Sequence, residues 1–428
     1  MRFATTSARP SSSTHRAITA RAPRRGRLPF AILCIVAFAP ACGFIRHLQG
    51  EDTITLEKAD VQSMSVDIRP EKKTICPGES VQMAVFAEVK FEGEKVTKKV
   101  ETWAGTSETN KNDKLDFTEF AFHSDQGEVD KHGWFHSKGE ITSTIAKEFE
   151  VTTAYRRRPD KFTFKTTYKP DYNCFKEAGA SGPGGNSGSF GESGRDGQGG
   201  NGGSATAGGG KGGDGSPGGP GGSATDGQAG VHITAFATFV KTPFYDKLLA
   251  VKISGDTNGF VLASPEKPFA IFSVGGSGGS GGSGVRGGSG GPGGSGNPAG
   301  GGGNGGQGGN GGNGANGGPG GTLDLVYDAR FPELKSLLRA DVSGGGAGSS
   351  GSAGEGGSGG SGGSGITPSA TGSSSPAPPT VPNGQSGSQG ARGAPGSGGG
   401  RGGAQGKLTV KPGVVKDKMG DVPGVTPL

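Results

Sequence analysis

The chain has 428 residues, of which 92 are glycine, and its formal net charge is +6. Glycine therefore takes about three times its usual share of roughly 7%. Residues 1–41 hold seven of the 44 basic residues and no acid, so 37 basic and 38 acidic residues remain beyond them, a net charge of −1. This balance removes the electrostatic argument for nucleic-acid binding that the basic isoelectric point of the whole chain suggests.

The first 41 residues predict an export signal. Seven arginines precede a short apolar run at 28–38, which is followed by Ala39, Pro40, Ala41 and Cys42. The run is shorter than the roughly 20 apolar residues that span a bilayer, so it is typical of a signal peptide. An ordinary signal peptide cleaved near Ala41 would release a periplasmic or secreted protein.

The small-small-Cys ending resembles the lipobox of bacterial lipoproteins. The resemblance implies lipidation of Cys42, a linker over residues 42–51 and attachment to a membrane by the N-terminal lipid. Gly43 after the cysteine implies the outer membrane or cell surface under the sorting rule of that family. Lipidation at Cys42 and simple cleavage near Ala41 both remain open.

Two cysteines are left for the folded part of the chain. Cys34 leaves with the signal, and Cys42 carries the lipid if the lipobox is used. Export implies an oxidising compartment, so we predict a disulfide between Cys76 and Cys174. Closing a loop of about 100 residues would stabilise the fold by up to about 4.7 kcal/mol in the entropic description.

Residues 52–178 predict a β-sandwich. Residues 80–91 alternate between apolar and mainly polar side chains, which indicates a strand with one buried face. Further strands are expected at 63–68, 141–145, 148–155 and 161–168. Several short strands separated by turns favour two packed sheets.

Part of this segment resembles the closing half of a bacterial Ig-like module. The resemblance rests on Gly-Glu-Val-Asp at 127–130, Gly-Trp-Phe at 133–135 and Phe-Glu-Val-Thr-Thr-Ala at 149–154. It implies an Ig-like sandwich over 52–178. It is silent on function, because such sandwiches serve many roles.

Few side chains suggest chemistry. His132 and His136 near Asp130 could share one face of a strand and hold a metal, although surface histidines are the favoured interpretation. Residues 156–158 are three arginines that could meet anionic glycan or lipid headgroups, or form a solvated charged run. Without a nucleophile–base pair or metal cluster, the sequence predicts neither an enzyme nor a cofactor or metal site. The Gly-x-Gly-x-x-Gly matches follow from the glycine frame itself and carry no nucleotide signal.

Glycine falls on almost every third residue at 179–230, 275–320, 345–363 and 384–402. Collagen is disfavoured because it needs abundant proline, and calcium-binding β-rolls need an Asp and an aliphatic residue in every repeat. A flexible linker stays open, since ordering glycine costs the most backbone entropy. The remaining alternative is a bundle of polyglycine-II helices.

Such a helix has three residues per turn and no internal hydrogen bonds, so its backbone must bond to neighbouring chains. The tract 275–320 reads mostly Gly-Gly-X and predicts the bundle core, whereas residues 179–197 predict a periphery. Apolar β modules are expected at 231–274 and 322–343, between the tracts. Pro243, Leu248 and Leu249 in the first module recur as Pro332, Leu337 and Leu338 in the second, with these leucines as expected cap residues.

The Gly-Gly-X pattern is similar to polyglycine-II proteins, including glycine-rich antifreeze proteins and PGRS-type surface proteins, over 179–365. The predicted fold is mostly β: an Ig-like sandwich, a polyglycine-II bundle with β modules, and a largely disordered tail at 366–428 with one short strand. The predicted role is structural or adhesive, with a surface polymer, glycan or envelope protein as partner and no nucleic acid. The alternative is a periplasmic accessory module whose sandwich binds the partner and whose glycine tracts are tethers.

Overall fold

The computed structural model describes residues 53–105, 111–369 and 378–428. Within these ranges the protein is mostly β, with several sheets and no large helical domain, as the sequence predicted. The helices are single turns: α1 Ile141–Thr144, α2 Leu334–Leu337, and 3-10 turns at Phe117–Glu119 and Lys416–Lys418.

Two sheets build the N-terminal unit. The strands are β1 Ala59–Arg69, β2 Thr74–Ile75, β3 Ser80–Phe91, β4 Lys98–Glu101, β5 Phe120–His123, β6 Gly127–Val129, β7 Trp134–Ser137, β8 Phe149–Tyr155 and β9 Thr163–Pro170. One sheet has the order β1-β3-β7-β6 with β4 beside β3, and the other has the order β2-β9-β8-β5. Val85, Phe120 and Tyr155 from both sheets share one buried apolar cluster, so the sheets enclose a common core.

One expected strand of this unit is helical instead. Residues 141–145 were expected to be extended, but Ile141–Thr144 forms α1. Ile141, Thr144 and Ile145 are buried at a spacing of three and four residues, which places them on one side of a helical turn. Burial of that side against β-strands of the C-terminal unit outweighs the strand preference of Ile and Thr.

A second pair of sheets, here called the cap, lies in the C-terminal unit. Its strands are β10 Glu177–Ser181, β11 His232–Lys241, β12 Leu248–Gly255, β13 Gly259–Ala263, β14 Phe269–Val274, β15 Thr322–Asp328, β16 Leu338–Asp341, β17 Lys407–Gly413 and β18 Thr426–Pro427. β10-β14-β16 form a parallel sheet, and the larger sheet runs β13-β12-β11-β15-β17 with β18 beside β11. Ile271 and Leu325, one from each sheet, belong to the same core.

Six extended glycine-rich segments continue from the cap. They are segment I (182–203), II (207–230), III (275–296), IV (300–321), V (345–365) and VI (384–406). I, III and V bond to one another in parallel and form one layer, while II, IV and VI form the other. Successive segments lie in alternate layers, and the hydrogen bonds between them are antiparallel.

Backbone hydrogen bonds between segments recur at every third residue. In segment III, Gly281 N–H donates to Ser349 O of segment V at 2.8 Å, and Gly282 N–H donates to Gly222 O of segment II at 2.9 Å. A Cβ added at Gly282 would lie less than 3.0 Å from the backbone of Ser189 in segment I. Glycine is therefore required where segments approach this closely.

The cap sets the register of the segments. β10 pairs with β14 up to Ser181 opposite Val274, and the same alignment continues as Gly185 N–H donates to Ser277 O at 2.7 Å. In the other layer, β15 pairs with β17 in the alignment that segments IV and VI have next to the cap, where Gly320 N–H donates to Ala404 O at 2.8 Å. Each layer of segments thus continues three neighbouring parallel strands of one cap sheet, namely β10, β14 and β16 in one layer and β11, β15 and β17 in the other.

The structure differs from the expectation of a largely disordered tail at 366–428. Gly387 N–H donates to Gly360 O at 2.8 Å, and Gly302 N–H donates to Gln385 O at 2.8 Å, so segment VI is bonded to both V and IV. β17 then adds to β15. Segment VI has a bonded glycine at every third residue from Gly384 to Gly396 and, after a one-residue shift, at Gly400, Gly403 and Gly406, and these glycines provide the contact edges that its neighbours need.

Candidate interaction surfaces

Cys76 and Cys174 form a disulfide, as the sequence predicted. Their Cα atoms are 6.2 Å apart. Cys76 follows β2 in the N-terminal unit, and Cys174 lies between β9 and β10, at the start of the C-terminal unit. The bond therefore joins the two units at their junction. The predicted lipidation residue, Cys42, lies outside the described residues.

The same junction is packed by aromatic side chains. Tyr172 is buried, and its ring lies 6.0 Å from that of Tyr245 in an edge-to-face arrangement. The hydroxyl of Tyr245 donates to Pro170 O at 2.8 Å, while that of Tyr172 lies 3.2 Å from Thr144 Oγ1. Burial raises the pKa of Tyr172 to about 12, so its hydroxyl stays protonated at neutral pH.

The histidine pair considered as a metal site belongs to a hairpin. Asp130 Oδ1 accepts the backbone N–H groups of His132 and Trp134, each at 2.9 Å, and thereby holds the turn between β6 and β7. His136 Nδ1 lies 2.7 Å from Ser80 Oγ. Within the described ranges, no group of three or more His, Cys, Asp or Glu residues could hold a metal ion.

The arginine run contacts its own unit. Arg156 Nε donates to Phe120 O at 2.9 Å, and Arg157 forms an ion pair with Glu57 at 2.9 Å. Arg158 lies over the ring of Phe162, 5.4 Å from its centroid. Each guanidinium therefore has a partner within the protein, although all three arginines are exposed.

Serine dominates one broad surface of the glycine-rich unit, here called the serine face. It lies on segments III and V, whose third positions are exposed or half-buried. Its serines are Ser277, Ser280, Ser283, Ser289, Ser295, Ser349, Ser352, Ser358, Ser361 and Ser364. Ser349 Oγ donates to Ser280 Oγ at 3.2 Å, and Ser352 Oγ donates to Ser283 Oγ at 3.0 Å. The hydroxyls thus form two columns with a three-residue spacing, interrupted by Arg286 and Pro292 in segment III and by Glu355 in segment V.

Side-chain amides line the opposite surface, here called the amide face. They are Asn304, Gln307, Asn310, Asn313 and Asn316 of segment IV. Asn310 Oδ1 accepts the N–H of Ala394 at 2.8 Å, and Asn313 Oδ1 accepts that of Ser397 at 2.9 Å. The four asparagines satisfy backbone N–H groups of segment VI that the neighbouring backbones do not reach.

A groove of about 610 Å³ lies on the N-terminal unit. It crosses β1, β3 and β4, and Phe86 is 39% exposed within it. The guanidinium of Arg69 lies 5.7 Å from the Phe86 ring centroid, and it also forms an ion pair with Glu101 at 2.7 Å. Hydrogen bonding to Lys114 is the main cause that lowers the pKa of Glu101. The groove combines an aromatic surface with paired charges.

Sequence reasoning did not identify the two faces. The glycine frame is visible in the sequence, but the residues at its third position vary along the chain. Sorting these residues by segment would have revealed them, because segment III carries mainly serine and segment IV carries mainly asparagine.

A membrane crossing needs a longer and more apolar helix than any within the described ranges. Comparison of the chain with protein-family models, with curated proteins and with solved structures gives no match.

Proposed function

We propose that this is a non-catalytic lipoprotein of the cell surface or envelope, anchored through Cys42, with a structural or adhesive role. In this proposal the N-terminal unit is an Ig-like sandwich and the glycine-rich unit is a polyglycine-II bundle. The bundle acts as a rigid spacer that presents its serine and amide faces to a surface polymer, a glycan or another envelope protein.

The observation that carries the proposal is the regular bonding among the six segments. The three-residue period of these bonds is the period of a polyglycine-II helix. At about 3.1 Å per residue, segment I extends over roughly 65 Å. A flexible tether would not need glycine at each close contact between segments, nor a cap that fixes their register.

Residue-resolved amide hydrogen exchange on the full chain tests the rigid bundle. The N–H groups of Gly281 and Gly282 both have backbone acceptors and should exchange slowly. Within the described part of the chain the N–H of Ser283 has no such acceptor, so it should exchange faster. Free-chain exchange at all three positions would refute the bundle and favour a tether.

Attachment to surfaces tests the role. Cells producing Gly282→Val, which places a side chain against segment I, should attach less than cells producing the parent protein. Gly346→Val is the matched control, because a Cβ there meets nothing within 4 Å. Equal surface abundance must be verified by antibody labelling. Attachment that is unchanged by Gly282→Val would contradict a role for the intact bundle.

The anchor needs its own test. Metabolic labelling with a fatty-acid probe should mark the parent protein and not Cys42→Ala. A labelled Cys42→Ala variant, or an unlabelled parent that is exported and cleaved, would contradict lipidation at Cys42.

The groove at Phe86 favours a second candidate function. In that alternative the protein is a periplasmic accessory module whose N-terminal unit binds the partner. Phe86→Ala would then abolish partner binding, whereas Gly282→Val would leave it unchanged. The reverse pattern would support the bundle as the working surface.

A further inference from the structure

The groove at Phe86 lies on the outer face of its sheet, away from the core of the N-terminal unit. Along β3, Val85, Ala87 and Val89 are buried in the apolar cluster between the two sheets. Phe86 and Glu88 alternate with these residues and therefore face outward. The groove is thus open to solvent, with an aromatic ring at its floor.

Strand register places the residues that line the groove in two rows across three strands. In the β1–β3 and β3–β4 ladders, Phe86 lies opposite Ser65 and Glu101. The neighbouring row consists of Ser63, Glu88 and Lys99. Because opposite residues of neighbouring strands share a sheet face, both rows face the groove. With about 4.8 Å between strands, each row spans roughly 10 Å.

The polar groups beside Phe86 are fixed by hydrogen bonds within the protein. The guanidinium of Arg69 donates to Glu101 Oε2 at 2.7 Å. It also donates to the carbonyl oxygens of Thr102 and Trp103, each at 2.8 Å. Lys114 Nζ donates to Glu101 Oε1 at 2.9 Å, and both oxygens of Glu101 keep lone pairs for further donors. Side chains held in this way lose little entropy when a ligand binds.

The backbone at the floor of the groove is already paired. β3 is hydrogen-bonded to β1 along one edge and to β4 along the other. Leu115 N–H donates to Glu101 O at 2.8 Å, so the segment with Asp113 and Lys114 lies beside β4 and borders the groove. Strand addition needs a free sheet edge, so a peptide cannot pair with β3 here. A ligand in the groove must therefore bind through side chains.

Charge is balanced around the groove. Its three cations and three carboxylates are Arg69, Lys99, Lys114, Glu88, Glu101 and Asp113. Each cation forms an ion pair within this set, Arg69 and Lys114 with Glu101 at 2.7 and 2.9 Å, and Lys99 with Glu88 at 3.5 Å. An anionic ligand would have to displace a carboxylate from its cation, and a cationic ligand would have to displace a cation. The site therefore favours a neutral ligand.

A sugar has the chemistry that these groups require. One face of a pyranose ring consists of C–H groups, which can stack on the Phe86 ring. Its hydroxyls are both donors and acceptors, so they can bond to Glu101, Lys114 and Ser65 without disturbing the ion pairs. A wholly apolar ligand would leave those groups desolvated and unbonded. Two linked rings match the length of one row.

We propose that the outer face of β1, β3 and β4 binds a neutral oligosaccharide, with Phe86 stacked on one sugar ring. This inference rests on the second candidate function, in which the N-terminal unit binds the partner, and it names the chemistry of that partner. Because the groove lies on an open sheet face, an internal stretch of a longer polysaccharide can enter it as well as a chain end.

A glycan array with the full chain tests the proposal. The probes are neutral oligosaccharides of glucose, galactose, mannose and N-acetylglucosamine, with uronic-acid oligosaccharides as the anionic comparison. Titration calorimetry then measures the affinity for the neutral probe that gives the strongest signal. We expect saturable binding of that probe, weaker binding of the uronic acids, and an affinity that salt changes by less than about twofold.

Variants at Phe86 locate the site. Phe86→Ala should weaken binding of the neutral probe by about tenfold or more, because the stacking surface is lost. Phe86→Leu keeps apolar bulk without an aromatic face and should weaken binding to a similar extent, whereas Phe86→Tyr should bind like the parent. Phe190→Ala is the matched control, because Phe190 is 77% exposed and lies on segment I. Thermal melts should show that all four variants remain folded.

Several outcomes would overturn the proposal. They are absence of binding to every neutral probe, preferred and salt-sensitive binding of the uronic acids, equal affinities of Phe86→Leu and the parent, and equal affinities of Phe86→Ala and Phe190→Ala.

The second candidate function can fail separately. If no sugar binds but Phe86→Ala abolishes partner binding, the groove serves a protein partner, and only the sugar proposal falls. If the neutral probe binds at Phe86 but Phe86→Ala leaves partner binding unchanged, the sugar site stands and the second candidate function falls.

Discussion

Gly291→Ala would test how closely the glycine-rich segments pack. Gly291 lies in segment III, and a Cβ at this position would lie less than 3.0 Å from the backbone of Gln198 in segment I. Its N–H donates to Gly213 O at 2.8 Å, and its carbonyl accepts from Gly303 N–H at 2.9 Å. The three nearest atoms are all backbone atoms of Gly197 and Gln198, so no side chain can rotate away to make room.

The cost follows from displacement of segment I. Overpacking in a close-packed interior costs roughly 1–3 kcal/mol. Moving segment I away also weakens the bonds from Gly197 N–H to Ser289 O and from Gly200 N–H to Pro292 O, each contributing about 0.5–1.5 kcal/mol. The sum lowers the free energy of unfolding by about 2–6 kcal/mol. At roughly 2–4 °C per kcal/mol, the melting temperature falls by about 4–24 °C.

Gly346→Ala is the matched control. Gly346 is in segment V, its carbonyl accepts from Gly278 N–H at 2.9 Å, and a Cβ there meets nothing within 4 Å. Alanine at this position should leave stability unchanged or raise it by roughly 0.4–1 kcal/mol through the unfolded state. Calorimetry and urea unfolding measure both variants. Equal stability of Gly291→Ala and Gly346→Ala would refute the close packing described above.

Three further predictions concern other parts of the molecule. Replacing both cysteines, Cys76→Ser and Cys174→Ser, should lower the free energy of unfolding by up to about 4.7 kcal/mol, because the disulfide closes a loop with a sequence separation of 98 residues. Identical urea unfolding curves of the parent and the variant would contradict this. Asp328→Asn should cost about 1.5–3 kcal/mol at pH 7, because the buried carboxylate accepts from Arg330 Nη2 at 2.7 Å and from Thr238 Oγ1 at 2.8 Å. Hydrogen bonding to Arg330 lowers the pKa of Asp328 in the folded protein, so as the pH falls the unfolded chain takes up this proton before the folded chain does. The stabilisation by Asp328 is therefore lost as the pH falls below about 4, and the parent should lose more free energy of unfolding than the variant between pH 7 and pH 3. Asn313→Ala removes the acceptor of the Ser397 backbone N–H and should accelerate its hydrogen exchange, whereas Asn313→Asp retains an acceptor and is the control. Unchanged exchange of the Ser397 amide in Asn313→Ala would argue against this hydrogen bond.

Local patterns in the sequence predicted elements where one period dominates. The alternation at Ser80–Phe91 predicted β3 with its bounds. The Gly-Gly-X run of 275–320 predicted segments III and IV, each of which is hydrogen-bonded to four other segments. Segment III bonds to I, II, IV and V, as its two glycines in three require. The helical turn at 141–145 could not be predicted from the local sequence pattern. Its isoleucines and threonines favour a strand, but contact with the C-terminal unit buries them as a helical turn.

The tail shows the same limit. Segment VI has one glycine in three over much of its length, which by itself is equally compatible with a linker. Only the presence of segments IV and V on two sides makes its backbone hydrogen bonds available and orders it.

The sequence by itself determined which residues can approach a neighbouring backbone, because the absence of a side chain is a local property. It also determined the cysteine pair and the mostly β character of the chain. The tertiary structure alone decided which segments become neighbours, since that depends on the register of the cap sheets. The same register separates the serine face from the amide face and leaves Leu408 and Val410 uncovered, because the smaller sheet ends at β16 while the larger one continues to β17.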